Sequence, residues 1–142
     1  MKRLIALTLP LLLSGCMIVD AFLMTKYDPN EYNAITDIRI KAIRYIEDCD
    51  NKEQAKLNAV SMAHAAEYFQ VYSQHIPRND NGYNAAKALN EMAQGLKDRY
   101  QKGSVSSTFC KVKYKHIKEE SEKIQHVIGA RPRWVCQIYN MF

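Results

Sequence analysis

The stretch from Asp50 to Ile76 reads DNKEQAKLNAVSMAHAAEYFQVYSQHI, with neither glycine nor proline until Pro77. Asp50 stands where a helix N-cap belongs, with Glu53 three residues on, the signature of a capping box. Ala55, Ala59, Met62, Ala66, Phe69, Ser73 and Ile76 then recur at spacings of three and four. That period places one seam along a helix, and its alanines let a neighbour approach closely. Leu57, Val60, Tyr68 and Val71 form a second apolar stripe, from which burial over a wide arc is expected.

Three further segments carry the same period. Before it, Asp28, Pro29, Asn30 and Glu31 read as an N-cap, a proline at the first helical position and a capping-box glutamate. Ile35, Ile38, Ala42, Tyr45 and Cys49 continue from there as a seam. After it, the residues from Pro77 to Gly82 read as a turn. A third helix follows on Ala86, Leu89, Ala93, Leu96 and Tyr100, weakened by Gly95 and stopped by Gly103. The run Ser104 to Thr108 offers caps for a fourth, with a seam of Cys110, Tyr114, Ile117, Ser121, Ile124 and Ile128 that ends at Gly129. A chain of 142 residues, 47% hydrophobic and 25% charged, has room for one core. Four helices with short connections predict an all-α, up-down-up-down four-helix bundle over residues 28–129.

The topology bears on the four cysteines. In an up-down-up-down bundle Cys49 ends the first helix and Cys110 begins the fourth, so both lie on core seams at one end. A Cys49–Cys110 disulfide is therefore expected. Closing so long a loop is worth about 4 kcal/mol in the chain-entropy model. Cys136 falls at the opposite end as the odd thiol, and burial beside Trp134 and Ile138 is its expected fate.

The N-terminus opens with Lys2 and Arg3, runs through ten residues from Leu4 to Leu13 that are apolar but for Thr8, and reaches Ser14, Gly15 and Cys16. This is a charged n-region, an apolar h-region and a small-residue exit. Leu13-Ser14-Gly15-Cys16 resembles the lipobox of bacterial lipoproteins. The resemblance implies that residues 1–15 are a signal peptide cleaved before Cys16, that Cys16 carries diacylglycerol and usually a further acyl chain on its amine, and that residues 16–27 link the lipid to the domain. It covers the export signal alone. Met17 stands where an inner-membrane retention aspartate would stand in enterobacterial lipoproteins, which points to the outer membrane with the domain in the periplasm. A competing reading makes Leu4 to Met24 an uncleaved inner-membrane span, since about 17 to 25 apolar residues suffice. Both export the domain.

The formal charge of +5 falls to +3 once Lys2 and Arg3 are removed. That balance is no nucleic-acid footprint. Arg131, Arg133, Trp134, Tyr139 and Phe142 gather in a C-terminal tail, residues 130–142, expected to pack at the membrane-proximal end and offering candidate contacts to membrane or partner. Lys111, Lys113, Lys115, His116 and Lys118 concentrate positive charge at the start of the fourth helix, spread around it as a solvated face. Lipopolysaccharide phosphate is the sharper ligand for them.

No residue pattern supports catalysis. His64 and His75 share a helix side about 16 Å apart, too far for one metal ion. His64 and Glu67 make one HxxE spacing without the second motif a di-iron bundle needs. Cys-x-x-Cys-His, G-x-S-x-G and a phosphate loop do not occur. The carboxylate pairs Glu47 with Asp48 and Glu119 with Glu120 diverge by about 100° on a helix. The sequence thus predicts a non-enzymatic, lipid-anchored envelope protein without cofactor or metal, contacting the membrane through Cys16 and serving as accessory module to an envelope protein partner. Alternatives are a periplasmic carrier of a small apolar or anionic ligand, its nine tyrosines lining a cavity, and a phage- or plasmid-encoded lipoprotein for superinfection exclusion or lysis.

Overall fold

A computed structural model describes residues 25–133, and they form a four-helix bundle. The helices are α1 (Pro29–Glu47), α2 (Lys52–Gln74), α3 (Asp80–Lys102) and α4 (Ser107–Gly129), with a 3-10 turn at Asp48–Asp50. Among the described residues there is no strand. α2 packs most closely on α3 and α1 on α4, while α1 also meets α2 and α3 meets α4. This is a square of antiparallel neighbours, as short connections require. The signal peptide, Cys16 and the span Leu4 to Met24 lie outside the described residues, as do Trp134, Cys136, Tyr139 and Phe142.

The seams supply the core. Ile35, Ile38 and Ala42 of α1, the α2 residues from Ala55 to Phe69 on its seam, Leu89 and Leu96 of α3, and Tyr114, Ile117 and Ile128 of α4 are buried in one cluster. Tyr45 and Tyr114 meet edge to face with centroids 5.6 Å apart. The second stripe of α2 behaves otherwise. Leu57, Tyr68 and Val71 are 64%, 59% and 52% exposed. Each helix of a square bundle has two neighbours, and the two that flank α2 cover its seam without reaching this face.

Polar ties join the helices outside the core. Arg39 donates to Gln125 at 2.9 Å and to Glu122 at 2.7 Å, binding α1 to α4. Tyr45 and Ser61 share a 3.0 Å hydrogen bond between α1 and α2. Asn90 donates to Gln70 at 2.6 Å between α3 and α2.

One end of the bundle is closed by the Cys49–Cys110 disulfide, with Cα atoms 5.7 Å apart. Asp50 does not cap α2 as its position suggested. Asn51 does, accepting from the Gln54 amide at 3.2 Å. Asp50 instead reaches across to α4, where its carboxylate accepts from the Ser107 hydroxyl and from Lys111 at 2.8 Å. Of the candidate caps before α4, Ser106 takes the role through the Phe109 amide. Gly103 ends α3 at φ 154°, a conformation that residues with a Cβ rarely adopt.

Candidate contact surface

At the opposite end the chain enters and leaves side by side. The Tyr27 amide donates to the Pro132 carbonyl at 3.0 Å, and the Arg133 guanidinium lies 4.4 Å from the Tyr27 ring centroid. The Thr25 hydroxyl donates to the Arg78 carbonyl in the α2–α3 turn. Asp28 caps α1, accepting from the amides of Asn30 and Glu31 at 2.8 and 2.9 Å.

Glu31 was expected to complete a capping box, but it is fully buried and faces inward. One carboxylate oxygen accepts from Ser73 at 2.9 Å and from Asn79 at 2.7 Å; the other accepts from Arg131. Arg131 also donates to the Asn79 side-chain oxygen at 2.9 Å, and Asn79 donates to the Ser73 carbonyl at 3.1 Å. A buried charge demands this much compensation. Gly82 makes the arrangement possible, since a Cβ there would come within 2.1 Å of Asn79 and 2.7 Å of Arg131. Gly82, expected in the turn, lies in α3, which begins at Asp80. Asn79, at the cap position of α3, makes no capping bond because its side chain is committed to Glu31, Ser73 and Arg131.

Arg131 is accordingly no free contact for phosphate or partner: its side chain is 10% exposed and is committed to Glu31. Of the tail arginines among the described residues, Arg133 is the exposed one. No sequence signal distinguished Glu31 from a capping glutamate, because its charge partner lies 100 residues away.

The unpartnered face of α2 borders two surface cavities. The larger, about 710 Å³, lies between α1 and α2, where Ala34, Leu57, Val60 and Ala65 line it together with Ser61 and His64. Asp37 and Lys41 on its α1 side pair with each other at 2.5 Å. The smaller, about 410 Å³, continues toward the chain ends between Asp28, Tyr72, His75 and Pro77. Tyr68 lines both, so the two adjoin at its ring and together make a trough along α2 that the ring interrupts. At its lower mouth Tyr72 donates to the Asp28 carboxylate at 3.1 Å and accepts from Asn30 at 3.2 Å. His64 and His75 thus stand on this surface, one in each cavity.

The cationic start of α4 is partly engaged: Lys111 bonds Asp50, and Lys113 sits 5.4 Å from the Phe109 ring centroid. The hydrogen bonds from Lys111 and Ser107 hold the Asp50 carboxyl below the usual aspartate value. Burial pushes the Tyr114 hydroxyl far above the usual tyrosine value, with the neighbouring Tyr100 and Tyr45 adding to it. Among the described residues no three of His, Cys, Asp and Glu converge on a metal position, and no helix is long and apolar enough to cross a membrane. No protein-family model, curated protein or solved structure matches the chain.

Proposed function

We propose that this protein is a lipid-anchored component of the bacterial envelope whose helical bundle acts as a non-enzymatic interaction module in a membrane-associated assembly. The observation that carries the reading is Leu13-Ser14-Gly15-Cys16 behind its charged and apolar leader. Acylation of Cys16 would tether the bundle by the end where Tyr27 and Pro132 meet, and the absence of an aspartate after Cys16 favours the outer membrane. The trough beside α2 is the surface offered to an envelope partner, because large exposed apolar patches on small domains mark contact sites.

Intact mass measurement with fractionation tests the anchor. Expressed with its own leader, the protein should begin at Cys16, carry acyl mass and sediment with outer membranes, and Cys16→Ala should lose all three. An uncleaved, unacylated chain in the inner membrane would overturn the lipoprotein reading and make Leu4 to Met24 the anchor.

A further inference from the structure

The apolar trough beside α2 has an occupant within reach in the same chain. Nine residues, from Trp134 to Phe142, follow Arg133, and seven of them are apolar or aromatic. They follow residues that lie at the end of the bundle where the smaller cavity is found. Pro132 is bonded to Tyr27, Arg133 stacks on the Tyr27 ring, and the next residue, Asp28, lines the smaller cavity. Extended, nine residues reach about 30 Å. The trough from His75 to Leu57 runs about 27 Å along α2 at the helical rise.

Charge fits as well. The segment carries no Asp, Glu, Lys, Arg or His. Asp37 and Lys41, which line the larger cavity, pair with each other at 2.5 Å, so an uncharged strand laid there leaves neither charge without its partner. An extended strand would also turn alternate side chains toward Leu57, Tyr68 and Val71.

We propose that Trp134–Phe142 folds back along the α1/α2 trough and covers the outward face of α2 in cis, so that a partner gains this face by displacing the tail. The displacement rests on the reading of this face as the contact surface; the docking itself does not. The apolar residues before Thr25 are the competing occupant. They leave beside Arg78, and an acylated Cys16 would draw them to the bilayer instead.

The native thiol of Cys136 reports on the docking. In the full chain, exported with its own leader, Val71→Cys and, one turn further, Tyr68→Cys each place a thiol in the trough at an exposed position that leaves the core intact. Non-reducing mass mapping should find Cys136 joined within one chain to the new thiol at one or both positions. Val127→Cys, exposed on α4 at the same end of the bundle, should form no such link. Trp134 is the single tryptophan. Its acrylamide quenching should rise severalfold when Leu57→Asp and Tyr68→Asp spoil the trough.

No link at either trough position, capture by position 127 instead, or a Trp134 insensitive to both aspartates would overturn the docking. Links between chains would overturn it too, by assigning the face to a second copy. Loss of the link while crosslinking still captures an envelope partner would refute the docking and leave the adaptor reading standing; the link without any partner would do the reverse.

Discussion

Arg131→Ala should weaken the bundle by several times the cost of losing an exposed ion pair. The guanidinium it removes is the charge partner of a carboxylate with no exposure to solvent. Ser73 and Asn79 would remain on the other oxygen, but two neutral donors do not replace a cation. Removing one member of a buried pair costs about 3 to 5 kcal/mol. With a urea m-value of about 1.5 kcal/mol/M, within the range for small domains, the midpoint should fall by about 2 to 3 M.

A companion substitution changes sign with the background. Glu31→Gln should destabilise the native protein, because it forfeits the charge-assisted bond from Arg131. In the Arg131→Ala background it should stabilise, because it removes an uncompensated buried charge. Equilibrium urea unfolding of the four proteins, followed by circular dichroism, measures both. A loss under about 1 kcal/mol for Arg131→Ala, the range of exposed ion pairs, would refute the reasoning. So would a Glu31→Gln effect of the same sign in both backgrounds.

Four other expectations rest on separate features. Replacing Cys49 and Cys110 together by alanine opens a loop with a sequence separation of 61, and thermal unfolding should register a loss of about 4 kcal/mol. The Tyr114 hydroxyl is buried without a hydrogen-bond partner, so Tyr114→Phe should raise the melting temperature by a gain of about 1 kcal/mol. Gly95 lies mid-helix with open space around it and Gly103 at φ 154°; Gly95→Ala should stabilise by about 0.5 to 1 kcal/mol, whereas Gly103→Ala should destabilise by about 1 kcal/mol or more. Because the Asp50 carboxyl is held below its usual value in the fold, its contribution is present above the unfolded-state value and lost as pH falls through the lowered one. Asp50→Asn should therefore narrow the stability gap between neutral and strongly acid solution, read from urea midpoints.

The bundle was legible because its seams repeat. The three-and-four spacings from Ile35, Ala55, Ala86 and Cys110 onward, broken at Gly103 and by the turn residues after Pro77, admit few other arrangements. Cys49 and Cys110 followed from topology, since both sit on seams at one end. What escaped the reading depends on partners distant in sequence. Glu31 three residues after Asp28 has the spacing of a capping box whether it caps or turns inward, and only Arg131 and Asn79 decide between the two. Asp50 and Asn51 are both good caps, and Asp50 is drawn away by Lys111 and Ser107 from the far side of the bundle. The stripe of Leu57, Tyr68 and Val71 declares itself apolar without declaring whether a neighbour covers it. The trough was invisible for that reason, being a property of which helices flank α2.

The bundle is clamped at its two ends by fasteners of different chemistry. Cys49–Cys110 holds one end and forms only where thiols are oxidised; Glu31 and Arg131 hold the other and ignore redox state. A reducing solution therefore loosens the molecule from one end. Amide exchange should quicken first around Asp48–Asp50 and the opening turns of α4, while the end bearing both chain exits stays shut. For a chain made in a reducing compartment and exported from it, full rigidity would arrive only at the destination.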